Sequence, residues 1–439
     1  MRQVKTDTPL LKLQLDVSGD VLDTLEDWSL DEGYWESADT FRCTLITDRF
    51  KPSELFLQPV TLILGDVPWM RARIEVVESD DNQVTINLSG RDYISELVEG
   101  HVSPDFKITE KTSLADAIRQ AARPYGIDTI IGDGDMPLRK IRCGYTAGTK
   151  SSVDFKAVKL DELQPRDGQS VYEFCNRLAA RTGCTIQPHI SRDTLVLAVP
   201  NYQAPPAYEL RRSRDRIASP SNNVMSARCT RDGTHWPTVL RITGGMRPVS
   251  GAYAPTNAPE QDTRSPVRPG AVTFPTGVDK NWVNAKQETS LQRLKADFAT
   301  ADVAKIMAPT LGAELDGKGF GKVRTATSSP LPTGTLYRLY RQDDNELRKP
   351  EQVMSLGARI LGERLKATLV YTCRVRGFAD PATGRRWTVD TIVNVRDEIA
   401  DVDEPLWIQT VTRSWTRTGG AVTELSMIRP GVVLVGADL

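Results

Sequence analysis

Apolar and polar residues alternate along the first hundred positions. Leu11, Leu13, Leu15 and Val17 share one face of "LLKLQLDV", and Phe41, Cys43 and Leu45 share one face of "TFRCTLI". "VTLIL", "RARIEVVE" and "QVTINLS" follow, with the turn-forming "SDDNQ" between the last two. Period-two alternation bounded by Asp, Asn and Ser predicts antiparallel strands.

The period then changes. "KTSLADAIRQAARPYGI" places Leu114, Ala117, Ile118 and Ala121 on one helical face, with Ser113 and Asp116 as a start signal. "GQSVYEFCNRLAARTGC" does the same with Val171, Phe174, Cys175 and Leu178. Ser170 and Glu173 form its capping box, and Gly183 stands at a C-terminal cap position. "TLVLAVP" predicts a strand, and the basic "RRSRDR", Arg211 to Arg216, predicts a connector or a phosphate contact.

"NNVMSARCT" and "TVLRITGG" predict two further strands. Six prolines between Pro248 and Pro275 then exclude regular structure and predict a long loop or arm. "ETSLQRLKADF" and "KPEQVMSLGARILGERLKA" predict helices, and "TLYRLYR" a strand. The chain returns to strands in "LVYTCRV", "TIVNV", "LWIQTVTRSW" and "VTELSMI", with hairpin turns at "DPATGR" and "RTGG".

The closing β segment reads as a second copy of the opening one. "FRCTL" at Phe41–Leu45 corresponds to "YTCRV" at Tyr371–Val375. A Pro-containing turn follows each, at Pro52 and Pro381, then a strand, then Asp-x-Pro at Asp66 and Asp403. Both hairpins end in Leu-Ser, at Leu88 and Leu425, so the two stretches align without a gap and Val411 matches Ile74. The predicted class is α+β, mainly β. Residues 1–97 are expected to form a first antiparallel β domain and 98–215 a small α+β domain. Residues 216–245 and 367–439 are expected to form a second, discontinuous β domain around an irregular insertion at 246–366.

Bulk properties narrow the chemistry. A chain of 439 residues predicts two to four domains. A net charge of -1 gives no basic surplus for nucleic-acid binding. The first residues lack a signal-peptide core and there is no long apolar run, so a soluble product of the cytoplasm is expected. None of the six cysteines forms a C-x-x-C pair, and they read as small buried hydrophobes. The three histidines, His101, His189 and His235, are far apart and lack any motif for zinc or a triad. "GAELDGKG" has phosphate-loop spacing but Gly319 where Ser or Thr must hold magnesium. "GDGDMP" has Asp133 and Asp135 without the other calcium-loop ligands. No catalytic, cofactor or metal residue is therefore assigned.

Four residues are candidates for interfaces. Arg91 and Asp92 stand in "INLSGRDYISELVEG", where Gly90 is expected to let the chain turn out of the first β copy. Trp407 and Trp415 lie at even spacing with Val411 between them, packing a core or, on an outward face, anchoring a partner.

The stretches "INLSGRDYISELVEG", "GQSVYEFCNRLAARTGCTI" and the chain's end, "YTCRVRGFADPATGRRWTVDTIVNVRDE" through "LWIQTVTRSWTRTGGAVTELSMIRP", resemble the baseplate hub proteins of contractile-tailed phages. These include the Mu-type hub of the tail protein P family. The resemblance covers most of residues 1–210 and 365–439 and leaves Met246–Pro350 unmatched. It implies two tail-tube-like antiparallel β-barrel domains in a homotrimer, a pseudo-sixfold ring that adapts the sixfold tail tube to the threefold central spike. Implied partners are the tail tube ring, the trimeric spike, baseplate wedge proteins and the tape measure protein. DNA would be passing cargo in the lumen, with no cofactor, no catalytic residues and no stable membrane association. The implied place is the virion tail baseplate, assembled in the host cytoplasm. The hub of a phage-tail-like bacteriocin or another contractile injection system fits equally. The enzyme alternative is a tail-associated cell-wall hydrolase, and a third reading is a carbohydrate-binding adhesin.

Overall fold

The computed structural model describes residues 11–47, 49–79, 85–109, 112–132, 164–180, 184–191, 193–198, 200–202, 204–214, 222–232, 234, 366 and 368–430. To these it adds the strand backbones at 143–144, 152–153, 239–244, 322–326 and 339–344. The helices expected in "ETSLQRLKADF" and "KPEQVMSLGARILGERLKA" and the loops "GAELDGKG" and "GDGDMP" lie outside these residues, apart from Gly132 and Lys366.

The chain opens with strands β1 (Leu11–Leu15), β2 (Val21–Leu22), β3 (Leu25–Gly33), β4 (Thr40–Ile46), β5 (Pro59–Leu64), β6 (Val67–Ser79) and β7 (Thr85–Asp92). Helix α1 (Pro52–Leu55) lies between β4 and β5. Hydrogen-bonded neighbours run β3-β4-β7-β6-β5-β1-β2, all antiparallel. The predicted alternation places Leu11, Leu13, Leu15, Phe41, Cys43 and Leu45 in one core. Val17 falls beyond the end of β1 and is exposed.

An α+β stretch follows: α2 (Ser95–Glu99), α3 (Leu114–Ala122), β8 (Thr129–Ile131), β9 (Cys143–Gly144), β10 (Ser152–Val153), α4 (Val171–Ala180), β11 (Thr185–Pro188) and β12 (Thr194–Ala198). Both predicted N-terminal caps form, while the expected C-terminal cap at Gly183 lies outside the described residues. Ser113 Oγ accepts from the Asp116 N–H, and Ser170 and Glu173 bond reciprocally. The apolar faces of α3 and α4 pack together over β11 and β12 in a core of their own.

The remaining strands are β13 (Tyr208–Arg212), β14 (Val224–Thr230), β15 (Val239–Gly244), β16 (Lys322–Ala326), β17 (Leu339–Asp344), β18 (Val370–Arg376), β19 (Ile392–Asp397), β20 (Val402–Thr416) and β21 (Gly420–Ile428). Here neighbours run β14-β18-β21-β20-β19-β13 around a third core. β15, β16 and β17 form a separate small sheet. The basic "RRSRDR" is not simply a connector. Its first two residues end β13, which pairs with β19, and Arg212 Nη1 lies 3.4 Å from Asp397 Oδ2.

The two β units share more than strand order. Cys43 on β4 stands opposite Leu88 on β7, and Cys373 on β18 stands opposite Leu425 on β21. A bulge interrupts β3 between Leu25 and Asp27, and another interrupts β14 between Val224 and Ser226. β6 bulges between Ile74 and Val76, and β20 between Ile408 and Thr410. Ile74 exchanges backbone bonds with Leu57 and Gln58, as Ile408 does with Asp390 and Thr391. Leu57 and Asp390 both adopt left-handed backbone, at φ 60 and 59. A non-glycine residue rarely does so without surrounding constraint, so its recurrence at one topological position carries weight.

This geometry corrects the gap-free alignment. Val411 stands opposite Leu425 as Val77 stands opposite Leu88, so Val411 corresponds to Val77 and Ile74 to Ile408. The β20–β21 hairpin runs further beyond these equivalent positions than the β6–β7 hairpin does, and the stretch from Asp-x-Pro to the bulge is correspondingly shorter, so the matching Asp-x-Pro signals are not equivalent positions. One strand also differs in direction. β1 runs antiparallel to β5, whereas β13 runs parallel to β19.

Gly90 is also reassigned. It lies inside β7 rather than at a turn, opposite Phe41 and Ile74. A Cβ there would stand 1.9 Å from the Arg73 carbonyl oxygen and 2.8 Å from the Phe41 ring. The glycine admits close backbone approach in the sheet. Gly90→Ala is expected to cost about 2 kcal/mol or more, by the overpacking penalty. Urea denaturation checks this, and an unchanged midpoint would refute the account.

Candidate functional site

The candidate sites among the described residues are junctions between parts of the chain. Three are built from groups that burial makes costly unless they are satisfied.

The first is the seam between the β units. β20 pairs antiparallel with β3, from Thr410 opposite Gly33 to Thr416 opposite Asp27, and so joins both units into one sheet. Arg413 in this strand is fully buried. Its Nη1 lies 2.8 Å from Glu32 Oε2 on β3, and its Nη2 donates to the Trp387 carbonyl. The guanidinium carbon lies 4.6 Å from the centre of the Trp69 ring, whose Nε1 donates to Glu32. Arg386 adds a second guanidinium 5.1 Å from that ring and donates to the Leu64 carbonyl. Trp28 and Phe378 pack at 5.0 Å beside it. A buried charge is tolerable only when paired and bonded, so this set fixes how the units meet.

The second junction surrounds Trp407, which is fully buried. Tyr34 from the first β unit and Tyr202 from the segment after β12 each pack edge-on against it at 5.1 Å. Its Nε1 donates to Asp390 Oδ1 at 2.9 Å, and the Asn201 N–H donates to the same oxygen at 2.7 Å. Tyr34 reaches the α+β stretch, because Gln187 Nε2 donates to its carbonyl at 2.9 Å. Trp407 thus sits where three parts of the chain converge.

The even spacing that placed Trp407 on one face with Val411 and Trp415 does not survive the bulge, although Val411 and Trp415 stay on one face. Gln409 is the extra residue, and it switches sides. Trp407 joins the aromatic cluster, Val411 packs in the second β core, and half-buried Trp415 stands opposite Trp28 on the seam.

The third junction is the exit from β7. Asp92 is almost fully buried. Its carboxylate accepts from the backbone N–H groups of Asp39 at 3.3 Å and Ile94 at 3.0 Å, while Asp39 accepts from Gly33 at 3.0 Å. Burial pushes the Asp92 carboxyl up to about 7 against these stabilising bonds. Burial and the neighbouring Asp92 charge hold Asp39 well above the usual carboxylate range. Arg91 points elsewhere. Its Nε bonds Glu75 at 2.7 Å and its Nη2 bonds Glu99 at 3.0 Å, tying β7 to β6 and α2.

Arg91 and Asp92 therefore brace one domain exit from opposite sides, and Trp407 and Trp415 lie at two different junctions. The sequence reading missed Glu32, Trp69, Arg413, Tyr34 and Asp390. Arg413 carried one signal: it occupies an inward position of a strand whose inward residues are otherwise apolar. Cys43, Cys175, Cys184 and Cys373 are buried, as expected, but Cys229 is half-buried. Among the described residues no group of His, Cys, Asp or Glu is arranged to hold a metal, and no helix is long and apolar enough to cross a membrane.

No protein-family model matches the chain, and no curated protein matches it by sequence. Two solved structures are similar throughout. One is the tail protein from Neisseria meningitidis MC58, at 14% identity and TM-score 0.63, covering 97% of this chain and 98% of that one. The other is the 43 kDa tail protein of prophage MuSo2 from Shewanella oneidensis, at 15% identity and TM-score 0.63, covering 97% of this chain and 99% of that one. The chain shares the mainly β, α+β fold of these tail proteins.

Two predictions follow from the junctions. Arg413→Ala leaves Glu32 buried without its partner and is expected to cost about 3–5 kcal/mol. The double variant R413M/E32Q keeps the Trp69 acceptor and should lie close to the parent in urea denaturation; equal losses in both variants would argue against the ion pair. The acid pair sets a pH slope. Between about pH 4 and pH 7 the unfolded chain has ionised carboxyls while the folded chain retains a proton, so stability falls as pH rises. Asp92→Asn should flatten that slope in denaturation midpoints measured across the window, and an unaltered slope would refute it.

Proposed function

We propose that the chain is a structural hub of a contractile tail, a trimer that adapts a sixfold tube to a threefold central spike. One observation carries this reading. A single chain holds two β units with the same strand order, the same two bulges and the same left-handed residue, joined edge to edge. Three such chains present six near-equivalent units, which meets the symmetry on both sides of the adaptor. The tail-protein fold of the two similar structures supports the same place in a virion or a related injection particle.

The hub reading makes residues 11–92 and the two parts of the second unit tube-like domains, with the α+β stretch and the insertion contacting spike and wedges. It assigns no catalysis. The tube ring, spike, wedge and tape measure proteins remain its proposed partners, with DNA only passing through.

Mass photometry of the purified chain should show a trimer, and cryo-EM of the parent particle should place it beneath the tube. A chain that stays monomeric at high concentration and is absent from that position would overturn the reading. Zymography on peptidoglycan should show no clearing; lysis would favour the hydrolase instead.

A further inference from the structure

The seam between β3 and β20 joins one β unit to a near copy of itself, head to tail. Each unit therefore carries both halves of such a contact, and within one chain only one half of each is used. The unused halves are the β14 edge of the second unit, which corresponds to β3, and the far end of β6 in the first, which corresponds to β20. Among the described residues neither edge has a strand partner: β14 ends the strand order, and β6 beyond Ile74 pairs only with β7.

Burial shows the same difference. Where the seam is used, Leu30, Glu32, Val411 and Arg413 are buried. At the unused positions Val77 and Cys229 are half-buried, Glu78, Ser79 and Arg231 are exposed, and Val76 is 47% exposed. An unpaired edge with apolar exposure is a template for another strand.

We propose, resting on the hub reading, that copies of this chain join by antiparallel pairing of β14 in one copy with the end of β6 in the next, in the seam's register. The bulges fix that register. Leu25 and Asp27 correspond to Val224 and Ser226, and Ile74 and Val76 to Ile408 and Thr410. The seam pairs Leu30 with Arg413 and Asp31 with Thr412. Carried across, Cys229 stands opposite Ser79 and Thr230 opposite Glu78. Glu78 then lies diagonal to Arg228 on the same face, a favourable cross-strand charge pair. The buried ion pair has no counterpart, since Ser79 replaces Arg413, so the joint between copies is weaker than the seam within a chain. Such a head-to-tail contact either closes into a ring or runs on as a filament, and three chains close six units.

Ser79→Cys tests the register, because opposed residues across a strand pair fall within disulfide reach. Mild oxidation of the assembled S79C protein should give disulfide-linked species up to the trimer on non-reducing gels. The linkage should vanish in S79C/C229S and be absent in E78C, which points to the other face. A trimer by native mass spectrometry in which S79C does not link to Cys229 would overturn the pairing and leave the hub reading standing. A chain that forms no oligomer would overturn both.

Discussion

The buried contact of Arg413 with Glu32 is the constraint on which the arrangement of the chain depends. A guanidinium removed from water must find its carboxylate, and here the partner lies on a strand of the other β unit. Strand pairing alone would leave the seam free to slip. A slip of one residue would turn Arg413 to the opposite face and leave both charges unpaired. The Trp69 ring and the Trp387 carbonyl satisfy much of what remains of the two groups, and both come from outside the paired strands. The register of one sheet is thereby tied to packing on both sides of it.

β20 can form that seam because it is bent. Its first half pairs with β19, its second half with β3, and β21 runs beside it from Trp407 onward. The bulge at Gln409 separates these duties, and the Gln409 carbonyl accepts from the Tyr34 N–H at 2.8 Å. One extra residue thus directs Trp407 toward the α+β stretch and Arg413 toward the first β unit. The counterpart bulge at Glu75 has no such partner strand among the described residues. Arg91 bonds that residue instead, holding β6 to β7 where β20 is held by β3.

Periodicity made the strands and helices legible because burial of one face controls them: the β4 and β18 cores and the α3 and α4 faces follow the alternation and the 3.6 period directly. Capping was legible for the same local reason, as Ser113 and Ser170 bond within four residues. The duplication was legible in "FRCTL" and "YTCRV", but its register was not. In the second copy the stretch from Asp-x-Pro to the bulge is shorter and the hairpin beyond the bulge is longer by the same amount, so the equal spacing from Asp66 to Leu88 and from Asp403 to Leu425 looked like structural equivalence and was not. The junction residues were hidden for a different reason. Glu32, Trp69 and Arg413 are far apart in the chain, and no pattern in one sequence states that they meet. Arg91 and Asp92 were visible as charges at a domain exit. That Asp92 faces inward to another acid, while Arg91 reaches Glu75 and Glu99, is decided by the tertiary fold.

The duplication also has a polarity. In the first unit β3 and β4 are joined by a short connection, residues 34–39; in the second the corresponding β14 and β18 are separated by residues 231–369. The long insertion replaces a hairpin loop, where loop-closure cost rises only slowly with length and strand register is undisturbed. The α+β stretch leaves from the end of β7, which pairs with the start of β4, so it departs from the same end of its unit. At the other end lie the connections from β6 to β7 and from β20 to β21, and neither carries an added domain. The two units are therefore most alike at one end and most unlike at the other. On the hub reading this is what an adaptor requires. The plain ends repeat six times around three chains and meet a sixfold ring, while the elaborated ends repeat only three times and meet the spike. The symmetry step is then built by placing the two large additions, the α+β stretch and the insertion, at one end of the β units.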